Sequence, residues 1–133
     1  MITRTGPWGY HLIVDVNDCD IESITNKENI TEFAKELVSR IDMKAYGEPT
    51  VVDFANDDPT KGGYTLVQLI ETSNICAHFV SATGEAFFDV FSCKEFEIEP
   101  VIQTITEYFG CSDGGVHAFT RGDWSSLPDS DEA

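Results

Sequence analysis

The chain has 133 residues, 41% of them hydrophobic, and sets 24 acidic against 8 basic side chains for a formal net charge of −16. That length suits one domain whose core can form without disulfides. The acidity speaks against nucleic acid and anionic membrane as partners, since both require a basic surface; it fits a solubility surface or a field that steers a cationic substrate.

No apolar window is long enough to predict a membrane span, and the opening MITRTGPWGY lacks the apolar stretch of a secretory signal. The cytosol is therefore the expected compartment. Cys19, Cys76, Cys93 and Cys111 are widely spaced without a CxxC pair, as expected of free thiols in a reducing environment. His11, His78 and His117 stand apart without ligand spacing, so no metal site is expected.

In chain order, residues 8–17 alternate as a strand, with Leu12, Val14 and Val16 on one side. Residues 29–41 place Ile30, Phe33, Ala34, Leu37, Val38 and Ile41 on one helical stripe, opened by Asn29 and Glu32 as a capping-box variant. Strands follow at 49–55 and 63–72, joined by the turn-rich NDDPTKGG. A hairpin of two apolar strands occupies 71–93. A second helix spans 99–110, with Pro100 in its first turn and Gly110 at its C-cap. Residues 115–121 close as a strand. Residues 1–122 form the expected single domain, and 123–133 an acidic, loosely held tail. This order predicts an α+β two-layer sandwich: a mostly antiparallel sheet with two helices on one face. The other face needs cover, which a second copy would supply as a homodimer.

A two-residue turn at Thr83-Gly84 would set His78 opposite Asp89 and Asn74 opposite Cys93. One hairpin face then carries Asn74, Cys76, His78, Asp89, Phe91 and Cys93, with Ser73 beside it. The other carries Ile75, Ala77, Phe79, Phe88 and Val90 and reads as helix-covered core. Ser73, His78 and Cys93 thus become candidate catalytic residues. Each also has a plain packing explanation, a buried cysteine being most often a small hydrophobe.

With those residues in view, the chain resembles the prokaryotic S-adenosylmethionine decarboxylases from about Trp8 to Gly122. GYHLIVDVNDCD is similar to that family's first strand, with a His two residues after a Gly and a Cys eight residues later. Ser73, the His five residues on and the Cys twenty residues on match its spacing, and FFDVFSC is close to its strand before the cysteine. The resemblance implies a proenzyme that cuts itself between Thr72 and Ser73 and turns Ser73 into a pyruvoyl cofactor. It implies that His78 removes the α-proton in that elimination and that Thr65 stands where the family has a processing serine. The pyruvoyl group would form a Schiff base with a small amino-acid-type substrate, S-adenosylmethionine, in polyamine synthesis, and Cys93 would reprotonate the product.

The chain departs from the family at Thr72, usually Glu, and at Asn74, usually His. Val80 and Ala82 replace the tryptophan and glutamate associated with adenosyl recognition. Losing a stacking ring and a ribose acceptor weakens nucleoside binding by about 2–4 kcal/mol unless something compensates. Phe54, Trp8 and Asp89 are the substrate-binding candidates. Two alternatives stand beside this one: a decarboxylase of ornithine or arginine, and an unprocessed homologue that acts by binding.

Overall fold

The computed structural model describes residues 4–54, 57–58 and 60–123. Its elements run β1 (Gly9–Asn17), α1 (Ile21–Ile24), α2 (Lys27–Arg40), β2 (Thr50–Phe54), β3 (Gly63–Ile70), β4 (Ser73–Val80), β5 (Glu85–Ser92), α3 (Ile98–Phe109) and β6 (Asp113–Arg121). The strands form one sheet in the order β2-β3-β4-β5-β1-β6, every neighbouring pair antiparallel. With α2 and α3 against one face, this is the expected α+β sandwich. The acidic tail lies outside the described residues from position 124 onward. Among the described residues no helix is long and apolar enough to cross a membrane.

Period-two alternation decides which face is buried. Leu12, Val14 and Val16 of β1, Ile75, Ala77 and Phe79 of β4, and Ala86, Phe88 and Val90 of β5 all point to the helix layer and are buried. Phe33 of α2 and Phe109 of α3 meet Phe79 and Phe88 there, with ring centroids 4.8 to 5.7 Å apart. Such tilted contacts add to the burial of four large rings.

Local signals set the helix ends, with one correction. Helix α2 begins at Lys27 and is capped by Asn26, whose side chain accepts the Asn29 N–H at 3.1 Å. Asn29 is therefore inside the helix rather than its cap. Its amide donates to the carbonyls of Ser23 and Tyr108, tying the three helices together. Gly110 ends α3 in the left-handed conformation (φ 64°), which a glycine adopts without a Cβ penalty.

The hairpin turn is also longer than expected. Val80 pairs with Glu85 across a turn of Ser81, Ala82, Thr83 and Gly84, so His78 faces Phe87, Cys76 faces Asp89 and Asn74 faces Phe91. Pairing has moved by two residues. Because side chains alternate with period two, every residue of the hairpin strands keeps its predicted face. Cys93 falls just beyond β5 rather than opposite Asn74.

Candidate active site

Among the described residues, the far side of the sheet carries no helix. Pairing registers lay its side chains out in rows. One row runs Phe119, His11, Phe91, Asn74, Leu69. The next runs His117, Ile13, Asp89, Cys76, Val67, Thr50. A third runs Gly115, Asp15, Phe87, His78, Thr65, Val52. Phe54, Val67, Leu69 and Phe119 leave 53%, 37%, 50% and 46% of their surface in solvent. An apolar, partly polar sheet face of this kind is an unpaired surface.

At one end, Ile70 pairs with Ser73, so Glu71 and Thr72 form a two-residue turn and the Thr72–Ser73 bond leads into β4. The Thr72 carbonyl accepts the Cys93 N–H at 3.0 Å. The Thr72 hydroxyl accepts a 2.7 Å hydrogen bond from buried Ser92. Ser73 is half-buried and pairs with Ser92; the Cys93 residue is exposed. A cleft of about 300 Å³, lined by Asp42, Met43, Lys44, Glu71, Thr72 and Lys94, opens on this turn.

His78 does not join that group. It lies five residues along the same strand, roughly 17 Å from Ser73 at the usual rise, on the opposite sheet face. There His78 Nδ1 is 3.3 Å from Thr65 Oγ1, across a direct rung. The expected gathering of Ser73, His78 and Cys93 in one small area is therefore corrected. Ser73, Thr72 and Cys93 form one cluster, and Thr65 with His78 another.

The aromatic candidates divide the same way. Trp8 packs its ring 5.7 Å from Phe91 at the Ser73 end. Phe54 ends β2 at the His78 end, paired with Gly63. Asp89 lies between the two ends and accepts from His11 Nε2 at 3.0 Å. Burial, with the Asp89 carboxylate second, holds the neighbouring Cys76 thiol above its ordinary pKa.

His11 belongs to a constellation that sequence reasoning set aside. Arg121 lies 3.2 Å from His11 Nδ1 and places its guanidinium 5.1 Å from the Phe91 ring centroid. The Arg121 and Asp89 contacts, one on each ring nitrogen, fix the orientation of the imidazole. The one signal for it was the His two residues after Gly9. Its partners are 78 and 110 positions away in the chain, beyond the reach of any local pattern.

The family model for S-adenosylmethionine decarboxylase matches residues 10–122. The S-adenosylmethionine decarboxylase proenzyme of Clostridium botulinum strain Langeland is 26% identical over 100 residues, spanning 74% of this chain and 81% of that protein. The Loch Maree strain's proenzyme is 24% identical over the same shares. The crystal structure of the adenosylmethionine decarboxylase from Aquifex aeolicus covers 95% of this chain and 100% of that one, with a TM-score of 0.75 at 19% identity, a likeness of fold. The match takes in both clusters, from the first strand to the last: the chain belongs to the S-adenosylmethionine decarboxylase family.

Proposed function

We propose that the chain is a self-cleaving carboxy-lyase that decarboxylates S-adenosylmethionine, and that it works as a homodimer. The observation that carries this reading is the Thr72–Ser73 bond itself. It leaves a tight turn with its carbonyl on the Cys93 N–H, a donor placed where negative oxygen develops when that carbonyl is attacked.

Self-cleavage follows in two steps. Ser73 Oγ adds to the Thr72 carbonyl carbon, the C–N bond breaks, and the hydroxyl proton passes to the freed amine, leaving an ester. Elimination removes the α-proton of residue 73 and breaks its Cβ–Oγ bond, with residue 72 leaving as a carboxylate. The enamine so formed takes a proton at Cβ to become an imine, from which water displaces ammonia. His78 takes the α-proton, a task suited to an imidazole, and the Thr65 hydroxyl beside Nδ1 orients its ring.

When formed, the pyruvoyl group supplies a ketone that condenses with the substrate amine and takes up the electron pair as carbon dioxide leaves. Cys93 holds a thiol proton next to residue 73, ready for return to the substrate carbon. Four free cysteines suit the cytoplasm.

The separation of Ser73 from His78 supports the dimer. One chain cannot bring the two ends of β4 together, whereas a two-fold copy laid on the open face sets the His78 end of each protomer against the Ser73 end of its partner. Exposed Val67, Leu69 and Phe54 supply apolar cover for that contact.

For the substrate, Phe54 supports compensation for the missing tryptophan. It lies two positions from Val52 along β2, on the same open face as Thr65 and His78, and about half of its surface is free for an adenine to stack on. The family and its Clostridium botulinum proenzymes, S-adenosylmethionine decarboxylases, favour S-adenosylmethionine over ornithine or arginine.

Intact mass tests the reading. Purified protein should contain fragments 1–72 and 73–133 in place of a 14.7 kDa chain, and should release carbon dioxide from S-adenosylmethionine faster than from ornithine or arginine. A persistent full-length chain would instead favour a binding protein.

A further inference from the structure

Ser92 is buried without exposure, in a strand whose other inward residues are Ala86, Phe88 and Val90. Packing alone would accept alanine there. Its hydroxyl instead accepts the Lys94 N–H at 2.9 Å and donates to Thr72 Oγ1 at 2.7 Å. Thr72 Oγ1 in turn donates to Met43 Sδ at 3.4 Å. Ser92 Oγ also lies 3.7 Å from Met43 Sδ, but Thr72 Oγ1 is the nearer acceptor, so the donors run from the Lys94 amide through Ser92 and Thr72 to the Met43 sulfur. Both ends of the Thr72 acyl group are held: its oxygen by the Cys93 N–H, its side chain by Ser92.

We propose that Ser92 is a positioning residue for self-cleavage, a buried hydroxyl that clamps Thr72 so that its carbonyl carbon meets Ser73 Oγ. The proposal rests on cleavage at Thr72–Ser73 and adds to it the device that aims the bond. Thr72 can turn about φ, ψ and χ1; the Cys93 N–H restrains the backbone through the carbonyl, and the Ser92 hydroxyl restrains χ1. The clamp also occupies the Thr72 hydroxyl on both sides. With its one proton on Met43, that hydroxyl does not donate to its neighbour Ser73. An attack distance lengthened by about 1 Å costs on the order of 10²-fold in rate, so a clamp of this size matters to the reaction rather than to the fold.

The test follows cleavage of the newly translated full chain by mass spectrometry over time. Ser92→Ala and Thr72→Val should each slow cleavage by about 10–100-fold, and Ser92→Thr, which restores the hydroxyl, should recover most of the rate. The Ser92→Ala/Thr72→Val double variant should be no slower than either single one, because both remove the same contact. Wild-type kinetics in Ser92→Ala, no advantage of Ser92→Thr over Ser92→Ala, or multiplying effects in the double variant would each overturn the proposal. Ser73→Ala separates the two claims. If it still cleaves, or if wild type never does, the cleavage reading falls and the clamp with it; if only Ser92→Ala is without effect, the clamp alone falls.

Discussion

At the Ser73 end of β4, the bond proposed for cleavage is half-buried and held by backbone and side-chain hydrogen bonds to Cys93 and Ser92. At the His78 end, an exposed imidazole meets the Thr65 hydroxyl. The first end has the order of a reaction centre within one protomer. The second has the exposure of a group that serves a centre elsewhere. This contrast teaches that residues close in sequence can belong to different sites: a strand separates them by about 3.3 Å per position and alternates their faces.

Removing the nucleophile breaks the comparison most completely. Ser73→Ala should abolish both cleavage and decarboxylation, seen as a single intact mass and no carbon dioxide release. Cys93→Ala should mature at least in part yet decarboxylate about 10²–10⁴-fold more slowly per pyruvoyl group, as for a lost general acid. An unchanged rate would return Cys93 to a packing role. Val67→Asp places a charge midway between the two ends. It should shift the protein from dimer to monomer by light scattering and slow cleavage about tenfold or more, because a carboxylate buried at an interface lacks a partner.

The smallest effect lies outside the open face. Burial, then Cys111 and Asp18, push the Cys19 thiol up to about 11. The folded state therefore keeps a proton that the unfolded chain releases near its ordinary value. This contribution to stability is complete below about pH 8.5 and is lost as pH rises toward about 11. Melting curves between those values should fall less steeply for Cys19→Ala than for wild type.

Much of this was legible in the chain. The alternation Ile75, Ala77, Phe79 marked the buried face of β4 because period two survives any even slip in pairing. The exposed face was legible for the same reason, even though Ser81 and Ala82 carry no turn signature and the turn came out two residues longer. Helix α1 left no trace because four residues are too few to show a period. Asn29 misled because Asn26, three residues earlier, offers the same capping chemistry. The His11–Arg121–Asp89 group was invisible because the sheet order, not the sequence order, makes β1 the neighbour of both β5 and β6. The split of Ser73 from His78 was implicit in the strand itself, since five positions separate two residues by about 17 Å and put them on opposite faces.

The central claim is that Ser73 of one protomer works with His78 of its partner, and subunit complementation tests it directly. Ser73→Ala cannot be cut, and His78→Ala should stall before completed cleavage. Co-expressed in equal amounts with distinguishable tags, the two chains pair at random, so about half of the His78→Ala chains meet a partner with an intact His78. The account predicts that this half completes cleavage at Thr72–Ser73 and recovers decarboxylation. No cleavage of the His78→Ala chain in the mixed population would contradict it, and would return Ser73 and His78 to a single protomer.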